Sequence, residues 1–482
     1  MNNIRNLVLG LATAGFLAAA PAHSADLWDV YQLALKNDPT FAQADANYQA
    51  QVENKAIARA GYLPNLTLNA SRQRSESTGD QIGVTNTGIG LQNFQSTTYN
   101  TNYNVQLTQP IFNWAAWKTM DQADASVAQA EADFQAAQQD LILRTATAYF
   151  NVLNARDTLA ANNASKSALA KQLEQAKEKY QVGMSAITDV QEAQAAYDQA
   201  VANEISAQQQ VITNEEQLRA ITGEPVGDLQ EPVPDMPLRS PDPANAKQWV
   251  EQAVKQNPTL LAAQAAAQVA AATVGIKQAN DYYPTLNFVA QRSKNSTTGN
   301  NVFDLSDTNG TVVGLQLSFP LFSGGGATAQ VTQAQRQYDA AQDQVRLVTR
   351  QTEQQARTAY LGVLTGISQV QAYKQSVQSN QTSMQATETG MQVGTRTIVD
   401  VLTARQNLLT AETSFANSRY KYLTSLLQLK QAAGILSPDD VKKLNALMQV
   451  TAPNPDTMPH ADTPADDTVS APAAADSAAN GG

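Results

Sequence analysis

The chain contains an internal repeat, and this feature constrains its fold more than any other. Five short segments of the first half return in the second half in the same order, at offsets that stay between 210 and 220 residues. The matching segments are 37–40 and 256–259, 62–66 and 282–286, 109–112 and 319–322, 147–149 and 358–360, and 182–190 and 393–401. A repeat at a nearly constant offset indicates that one structural unit occurs twice.

Both units have the same internal order. Each opens with a helix, capped by Asp38 in the first unit and by Asn257 in the second, with a proline at the first helical position. Two β-segments follow. Alanine- and glutamine-rich sequence, almost free of proline and isolated glycine, then predicts helices over 113–181 and 327–392. At 1.5 Å per residue, each of these helices would be on the order of 100 Å long.

Two glycines, Gly183 and Gly394, predict the turns of long helical hairpins. The returning helices, at about 185–222 and 395–434, cover a little over half the length of the helices before them. We therefore expect the opening helix of each unit to stack end-on and supply the remainder. Apolar positions diluted by alanine and glutamine suit a broad wall of helices packed side by side, with an ordinary coiled coil as the alternative.

Four segments alternate between apolar and polar residues as β-strands do. They lie at about 64–75, 98–112, 284–293 and 311–322, and the segments 76–98 and 293–310 are predicted to be outward loops. Strands of about 10 residues with one apolar and one polar face are typical of outer-membrane barrels. Aromatic residues cluster at one end of the four strands, where a membrane interface would lie: Tyr62, Phe112, Trp114, Tyr282, Tyr283 and Phe322.

Four strands are too few to close a barrel in a membrane, because the smallest membrane barrels use about eight. Open sheet edges are not viable in lipid, since their backbone groups would lack hydrogen-bond partners. The chain must therefore share its barrel with copies of itself, two copies giving eight strands and three giving twelve. The alternative is a soluble β-sandwich in a periplasmic helical scaffold or adaptor protein.

Residue types needed for common catalytic chemistry are scarce. The chain has no cysteine, and its two histidines, His23 and His460, lie in terminal segments predicted to be cleaved or disordered. The folded body thus lacks thiolates and imidazoles for metal binding or general base catalysis, so we expect no enzyme activity, cofactor or metal. A net charge of −11 argues against a nucleic-acid partner.

Both ends of the sequence are predicted to lie outside the two units. Residues 1–24 have a positive start, an apolar run and small residues before Ala25, which is typical of a secretory signal peptide; a membrane anchor is the alternative. No later segment is expected to form a transmembrane helix. We place the units at 25–222 and 246–434. A proline-rich linker at 223–245 separates the two units. A C-terminal segment at 435–450 and a disordered tail at 451–482 follow the second unit.

The segments RTATAYFNVL (144–153), AITDVQ (186–191) and VGTRTIVDVL (393–402) resemble the TolC-like outer membrane efflux protein family, and the resemblance runs in order over roughly 26–450. It implies an α+β membrane protein, a homotrimer whose twelve-stranded outer-membrane β-barrel continues into a long periplasmic α-helical barrel. The linker and C-terminal segment would form an equatorial band around it. The implied function is an exit duct for multidrug efflux pumps and type I secretion, working with a periplasmic adaptor and an inner-membrane pump or ABC exporter.

The resemblance also implies a closed periplasmic mouth. Asp400 of three chains would form an acidic constriction, and Arg396 would reach Thr188 and Asp189 of a neighbouring hairpin and hold the mouth closed. Spacing agrees, because Asp189 and Asp400 each follow a hairpin glycine by six residues. In the simpler interpretation, Arg396 and both aspartates only solvate a helix end. An enzymatic interpretation would use the two aspartates as a general acid/base pair, but no hydrolase motif surrounds them.

This chain departs from the family pattern at two positions near the mouth. Thr403 stands where the family places a second aspartate, and Met391 stands where it places a tyrosine that bonds the first-repeat aspartate. We expect weaker block by trivalent cations and easier opening. The tips at Gly183 and Gly394 resemble the sites where adaptor hairpins dock, although glycine there also serves the turn alone.

Overall fold

The computed structural model describes residues 25–85, 88–233, 236–300 and 305–449. The sequence predictions for the termini therefore lie outside the described residues. These predictions concern the signal peptide at 1–24, the tail at 451–482, His23 and His460.

In this described part of the chain there are ten helices, five in each half. They are α1 (Leu27–Asn37), α2 (Pro39–Val52), α3 (Asn54–Ala60), α4 (Trp114–Gln181), α5 (Ile187–Thr222), α6 (Ala246–Gln256), α7 (Pro258–Tyr282), α8 (Gly326–Gln392), α9 (Ile398–Ala432) and α10 (Pro438–Asn445). The long helices α4 and α8 contain 68 and 67 residues, so each is about 100 Å long. Their ends agree with the predicted ones to within a residue.

The predicted N-caps are confirmed. The side chain of Asp38 accepts a hydrogen bond from the backbone N–H of Phe41 at 2.7 Å, and a proline begins α2. Asn257 caps α7 in the same way, accepting from Thr259 and Leu260, with Pro258 at the first position. Sequence reasoning missed the short helix that precedes each cap, α1 in the first half and α6 in the second.

Each returning helix ends against the start of an opening helix, as the end-on prediction required. The side-chain amide of Asn37, beside the cap of α2, donates to the carbonyl of Thr222 at the end of α5 over 2.7 Å. Asn257 donates to the carbonyl of Ala432 at the end of α9 over 3.0 Å. These bonds satisfy carbonyls that a helix C-terminus leaves without partners. Two stacked pairs, α5 with α2 and α9 with α7, thereby extend the wall along most of the length of α4 and α8.

The helices form one layer with two open sides. Toward the hairpin turns, α4 packs between α5 and α9, and α9 packs against α8. Toward the strands, α4 packs against α2, α3 and α7, and α7 packs against α8. The layer therefore ends at α5, α2 and α3 on one side and at α8 on the other.

The main sheet is antiparallel and has the order β1-β2-β4-β5. Its strands are β1 (Asn65–Thr85), β2 (Gly88–Asn113), β4 (Thr285–Gly299) and β5 (Ser306–Ser318). The prediction that 76–98 and 293–310 are loops is wrong, because the strands continue through most of both segments. The prediction missed them because the apolar alternation stops after Ala70 and returns only briefly, at Ile82 and Val84 on β1 and at Ile89 and Leu91 on β2. Beyond the part of β2 that pairs with β4, β1 and β2 continue as a two-stranded ribbon.

The expectation that no later segment is apolar enough for a transmembrane helix is also wrong, because one later stretch has the length and composition of such a helix. The stretch Ala246–Tyr282 has a window of mean hydropathy 1.5, enough by length and composition to cross a membrane. Alanine supplies most of this hydropathy. The stretch is broken into α6 and α7 at the Asn257 cap, and α7 packs along α4 and α8 within the helical layer.

The largest hydrophobic core lies at the middle of the helices. There α1, α6, α10 and the short pair of β3 (Glu231–Pro232) with β6 (Met448–Gln449) pack on the long helices; we call this region the waist. Fully buried side chains at the waist include Tyr149 and Tyr422. Both hydroxyls are satisfied, since Tyr149 donates to the carbonyl of Gln230 at 2.7 Å and Tyr422 donates to that of Arg239 at 3.0 Å.

The waist also holds two half-buried carboxyls. The hydroxyl of Tyr420 donates to Asp157 Oδ2 at 2.7 Å. Burial raises the pKa of Asp157, while the Tyr420 bond and the charge of Arg419 oppose the rise. Burial and the charge of Asp157 raise the pKa of Glu231. A carboxyl with a raised pKa favours the folded state below its ordinary pKa, and this contribution is lost as pH rises through the raised value.

We therefore expect Asp157→Asn to raise the free energy of unfolding near neutral pH, by on the order of 1 kcal/mol. The wild type should gain stability as pH falls from neutral toward the ordinary pKa of an aspartate, and the variant should gain less. Thermal loss of helical circular dichroism in detergent measures both. Asp343→Asn, at an exposed ion pair with Arg346, is the matched control and should leave the pH dependence unchanged. An identical pH dependence in Asp157→Asn and wild type would contradict the prediction.

Candidate gate at the hairpin tips

Both long hairpins turn in the same way at the end opposite the sheet. Gly183 and Gly394 have φ values of +76° and +79°, which side chains with a Cβ rarely adopt. The backbone N–H of Met184 donates to the carbonyl of Lys179, and that of Thr395 donates to Gly390, both at 2.8 Å. The internal repeat therefore extends to the hydrogen bonds of the turns.

Asp189 lies in the first turn of α5. Its Oδ2 accepts a hydrogen bond from the hydroxyl of Ser185 at 2.6 Å. Sequence reasoning missed Ser185, although a serine just before a helix and an acid in its first turn often form such a bond. Thr188, next to Asp189, is exposed.

Asp400 occupies the equivalent position in α9 and forms a capping box. Its Oδ2 accepts from the backbone N–H and from the hydroxyl of Thr397, both at 2.9 Å, and the Thr397 hydroxyl accepts from the backbone N–H of Asp400. The backbone and side-chain bonds from Thr397, with a smaller contribution from the charge of Arg396, hold the pKa of Asp400 below its usual range. The carboxylate is therefore charged at neutral pH.

Arg396 extends from the turn between α8 and α9 and is exposed. Its Cγ lies so close to Gly390 that a Cβ built there would approach it to 2.8 Å. Gly390 thus leaves space for the Arg396 side chain, a role that sequence reasoning missed. Among the described residues of one chain, Arg396 forms no ion pair and no side-chain hydrogen bond. The structure therefore does not bring Arg396 to Thr188 or Asp189 of the same chain, and the predicted contact requires a second copy.

The two tips of one chain pack together through a small apolar cluster. Its members come from α4, α5, α8 and α9, namely Leu173, Ala176, Val190, Ala193 and Ile398, with Tyr197, Met391 and Leu402 at its margin. Met391 joins this cluster, and its sulfur accepts a hydrogen bond from the amide of Gln172 at 3.5 Å. Met391 therefore supplies packing where a tyrosine would supply a hydroxyl. Val190 and Ile398 place Asp189 and Asp400 at the same end of the helical layer.

Thr403 lies near an ion pair one turn further along α9. It lines a shallow cavity of about 290 Å³ together with Arg405, and Arg405 pairs with Glu388 of α8. The guanidinium group of Arg405 is thus already paired with a carboxylate of its own hairpin. Thr403 itself adds no charge at this level of α9.

Large apolar side chains are exposed at the turns. Val182 and Met184 are 69% and 78% exposed in the first turn, and Val393 is 70% exposed in the second. A cluster of exposed apolar residues on two adjacent turns is a common feature of protein-binding surfaces.

Comparison with known proteins divides the chain at the same place as its internal repeat. A sequence profile of the family described as "Outer membrane efflux protein" matches residues 30–224 and again residues 249–435, one match for each unit. The chain belongs to the outer membrane efflux protein family. It is therefore a transport duct of the outer membrane and not an enzyme.

Relatives of this efflux-family chain include "Outer membrane protein TolC" of Escherichia coli strain K12, which is 35% identical over 95% of this chain and 92% of its own. "Alkaline protease secretion protein AprF" of Pseudomonas aeruginosa is 29% identical over 88% of each. Among solved structures, the Vibrio cholerae outer membrane protein VceC has a TM-score of 0.69 at 22% identity, covering 85% of this chain and 96% of that one. The Campylobacter jejuni CmeC outer membrane channel has a TM-score of 0.69 at 20% identity, covering 88% and 90%. The shared fold is that of α+β outer-membrane channels.

Proposed function

We propose that three copies of this chain close into one duct, a twelve-stranded barrel in the outer membrane that continues into a helical tunnel in the periplasm. The duct serves as the exit path for tripartite multidrug efflux pumps and for type I protein secretion. Relatives named for efflux and for protease secretion support both roles. Its partners are a periplasmic adaptor and an inner-membrane pump or ABC exporter, and it needs no cofactor.

The observation that carries the proposal is that sheet and helices are open on the same two sides. The sheet order leaves β1 and β5 as edges, and the helices next to them in sequence, α3 and α8, border the helical layer on the same sides. Exposed apolar residues occur at both borders of the helical layer, with Ile205 and Ile212 on α5 at the first border and Leu347 and Leu361 on α8 at the second. Joining the β1 side of one copy to the β5 side of the next removes every edge if the ring closes.

The proposed division of the chain follows the same scheme. A signal peptide at 1–24 directs export, and the two units at 25–222 and 246–434 build the barrel and tunnel. The linker at 223–245 and the C-terminal segment at 435–450 contribute an equatorial band, and 451–482 is a tail. Pairing of β3 with β6 across these two segments supports the band.

The gate of the proposed duct lies at the hairpin tips. Three Asp400 carboxylates around one axis repel one another and attract cations. Arg396 of one hairpin bonds Thr188 and Asp189 of a hairpin in the neighbouring copy and holds the mouth closed until adaptor and pump dock. Support comes from the exposure of Arg396, which forms no ion pair with the residues that the structure describes in one chain, and from the ionised state of Asp400.

Single-channel recording of the purified full chain in a planar lipid bilayer tests this function. A duct gives discrete, cation-selective conductance steps. A periplasmic scaffold gives none and does not fractionate as an integral outer-membrane protein. Absence of steps from both the wild type and a variant with an opened gate would reject the duct.

Thr403→Asp tests whether the missing second aspartate weakens the block of the mouth by cations. Adding three carboxylates one helical turn beyond Asp400 should increase the affinity for a trivalent cation such as hexaamminecobalt, because the attraction of each added charge sums in a narrow mouth. The wild type should need a higher concentration of the cation than Thr403→Asp before its conductance falls by half. Thr403→Asn is the uncharged control, and we expect it to match the wild type. Equal block of wild type and Thr403→Asp would contradict the prediction.

The exposed tips are proposed as the surface where adaptor hairpins dock, with Gly183 and Gly394 at their apices. A Cβ at either glycine meets no atom within 4 Å, so a side chain there projects into solvent. We expect Gly183→Leu and Gly394→Leu to abolish efflux while assembled protein remains in the outer membrane. Gly324→Leu, with a similar positive φ and open space away from the tips, is the control for backbone strain alone. Loss of the protein itself from the membrane would support the turn interpretation instead.

A further inference from the structure

Strands β1 and β4 carry the same pattern on their outward face. In both strands a row of apolar residues is followed by cationic residues. Residues that pair directly across neighbouring strands share a face, and Leu68 pairs with Val105, which pairs with Arg292. The apolar face of β1 and the even-numbered residues of β4 therefore point the same way. In order, these residues are Leu66, Leu68, Ala70, Arg72 and Arg74 on β1, and Leu286, Phe288, Ala290, Arg292 and Lys294 on β4. The internal repeat has thus kept three apolar residues followed by two cations.

The cations lie near the outer end of a membrane-crossing length of strand. Counted from the first residues of β1 and β4, Arg72 and Arg292 are the eighth residues of their strands, and Arg74 and Lys294 are the tenth. A tilted strand needs about 9–11 residues to cross a bilayer. With the aromatic residues at the periplasmic interface, both arginines fall at the outer interface, where lipid headgroups begin.

Two of the four cations are not engaged by acids. Arg74 pairs with Glu76, and Lys294 lies 3.7 Å from Asp307. Among the residues that the structure describes, Arg72 and Arg292 form no ion pair, and both are exposed. The guanidinium carbon of Arg72 lies 5.5 Å from the centre of the Tyr99 ring, which holds it against the outward face.

From these observations we propose that Arg72 and Arg292 bind the phosphate groups of outer-leaflet lipid, with Arg74 and Lys294 adding to the positive field. The occupant is a phosphorylated lipid whose acyl chains cover the apolar residues below. Guanidinium groups suit this role because they bind phosphate oxygens in pairs and are weakly hydrated. The apolar band and the cations are continuous on one face, so one lipid contacts both. This inference rests on the proposed membrane barrel.

Lipid retention by the full chain tests the inference. The trimer purified in detergent is incubated with bisphosphorylated lipid A or with the same lipid after dephosphorylation, and bound lipid is counted by native mass spectrometry. We expect the wild type to retain several-fold more of the phosphorylated form. The double variant Arg72→Gln/Arg292→Gln should lose this preference. The control Arg336→Gln/Arg346→Gln removes two exposed arginines from α8, each paired to an aspartate three residues away, and should keep the preference.

Three results would overturn the inference. They are equal retention of both lipids by the wild type, an unchanged preference in the Arg72→Gln/Arg292→Gln variant, and complete displacement of lipid by an equal concentration of inorganic phosphate, which would indicate a free-anion site. If the variant does not assemble, the wild-type comparison of the two lipids decides. Conductance recorded on the same samples separates this inference from the duct. A conducting variant with undiminished lipid preference rejects the lipid site alone, whereas a wild type without conductance rejects the duct.

Discussion

Gly434→Ala should prevent the chain from accumulating as a folded duct. Gly434 follows the end of α9 with φ of +74°, a conformation that costs a residue with a Cβ about 1–2 kcal/mol. A Cβ at this position would also lie 2.6 Å from the Cα of Asn257 and closer still to the carbonyl of Gln256. Backbone atoms on both sides leave the new methyl group no space. We expect a loss of at least about 3 kcal/mol in the free energy of unfolding.

The clash matters because of where it falls. Asn257 caps α7 and also donates to the carbonyl of Ala432 at the end of α9, so any shift that relieves the methyl group breaks the end-on junction. Gly324→Ala is the matched control, since Gly324 has φ of +62° with no atom within 4 Å of its Cβ position. Its cost should be the backbone cost alone. Membrane-inserted protein measured by fractionation, with thermal unfolding of what is recovered, compares the two. Equal recovery of both variants would contradict the role assigned to the junction.

Arg396→Ser should increase the single-channel conductance severalfold. If Arg396 bonds Thr188 and Asp189 of the neighbouring copy, the substitution breaks three equivalent contacts in the trimer and frees the tips to separate. Met391 already lacks the hydroxyl that a tyrosine would contribute, so one further hydrogen bond is missing there. Conductance in planar bilayers rises with the width of the narrowest constriction, and the tips are that constriction in the proposed duct.

Two controls sharpen the test of this latch. Arg219→Ser removes an exposed cation from the waist end of α5 and should leave the conductance unchanged. Arg396→Lys keeps the charge but not the planar group that bonds two acceptors together, and an intermediate conductance is expected. A conductance for Arg396→Ser equal to that of the wild type would support the simpler interpretation, in which Arg396 only solvates the helix end.

The sequence predicted the helices of this chain better than its strands, for a physical reason. Alanine and glutamine favour helix at every position, so α4 and α8 could be delimited by where sequence almost free of proline and isolated glycine begins and stops. Strands were recognised from apolar alternation, which ends near Ala70 on β1 although pairing continues to Thr85. Apolar residues return only near the tip of the ribbon, where Ile82 pairs with Leu91, and the polar residues between leave the strands without a continuous pattern.

At the candidate gate, too, some residues could be predicted from a sequence pattern and others could not. Asp189 and Asp400 were found because both follow a repeated glycine at the same spacing. Gly390 was missed because its role depends on the path of the turn between two helices, whereas Ser185 was missed although its bond to Asp189 is local. The partner of Arg396 belongs to another copy in the proposed ring, so neither the sequence nor one folded chain contains it.

The two unlike borders of the layer have a genetic consequence. In the proposed ring of three, each copy offers a β1 side to one neighbour and a β5 side to the other. A copy damaged at β5 alone would still join through β1 and leave the ring unable to close. When such a copy is expressed equally with the intact one, only about one ring in eight is built entirely from intact chains. If the proposed ring forms, we expect lesions confined to β5 or α8 to be dominant over the wild type, whereas a chain that never folds should be recessive.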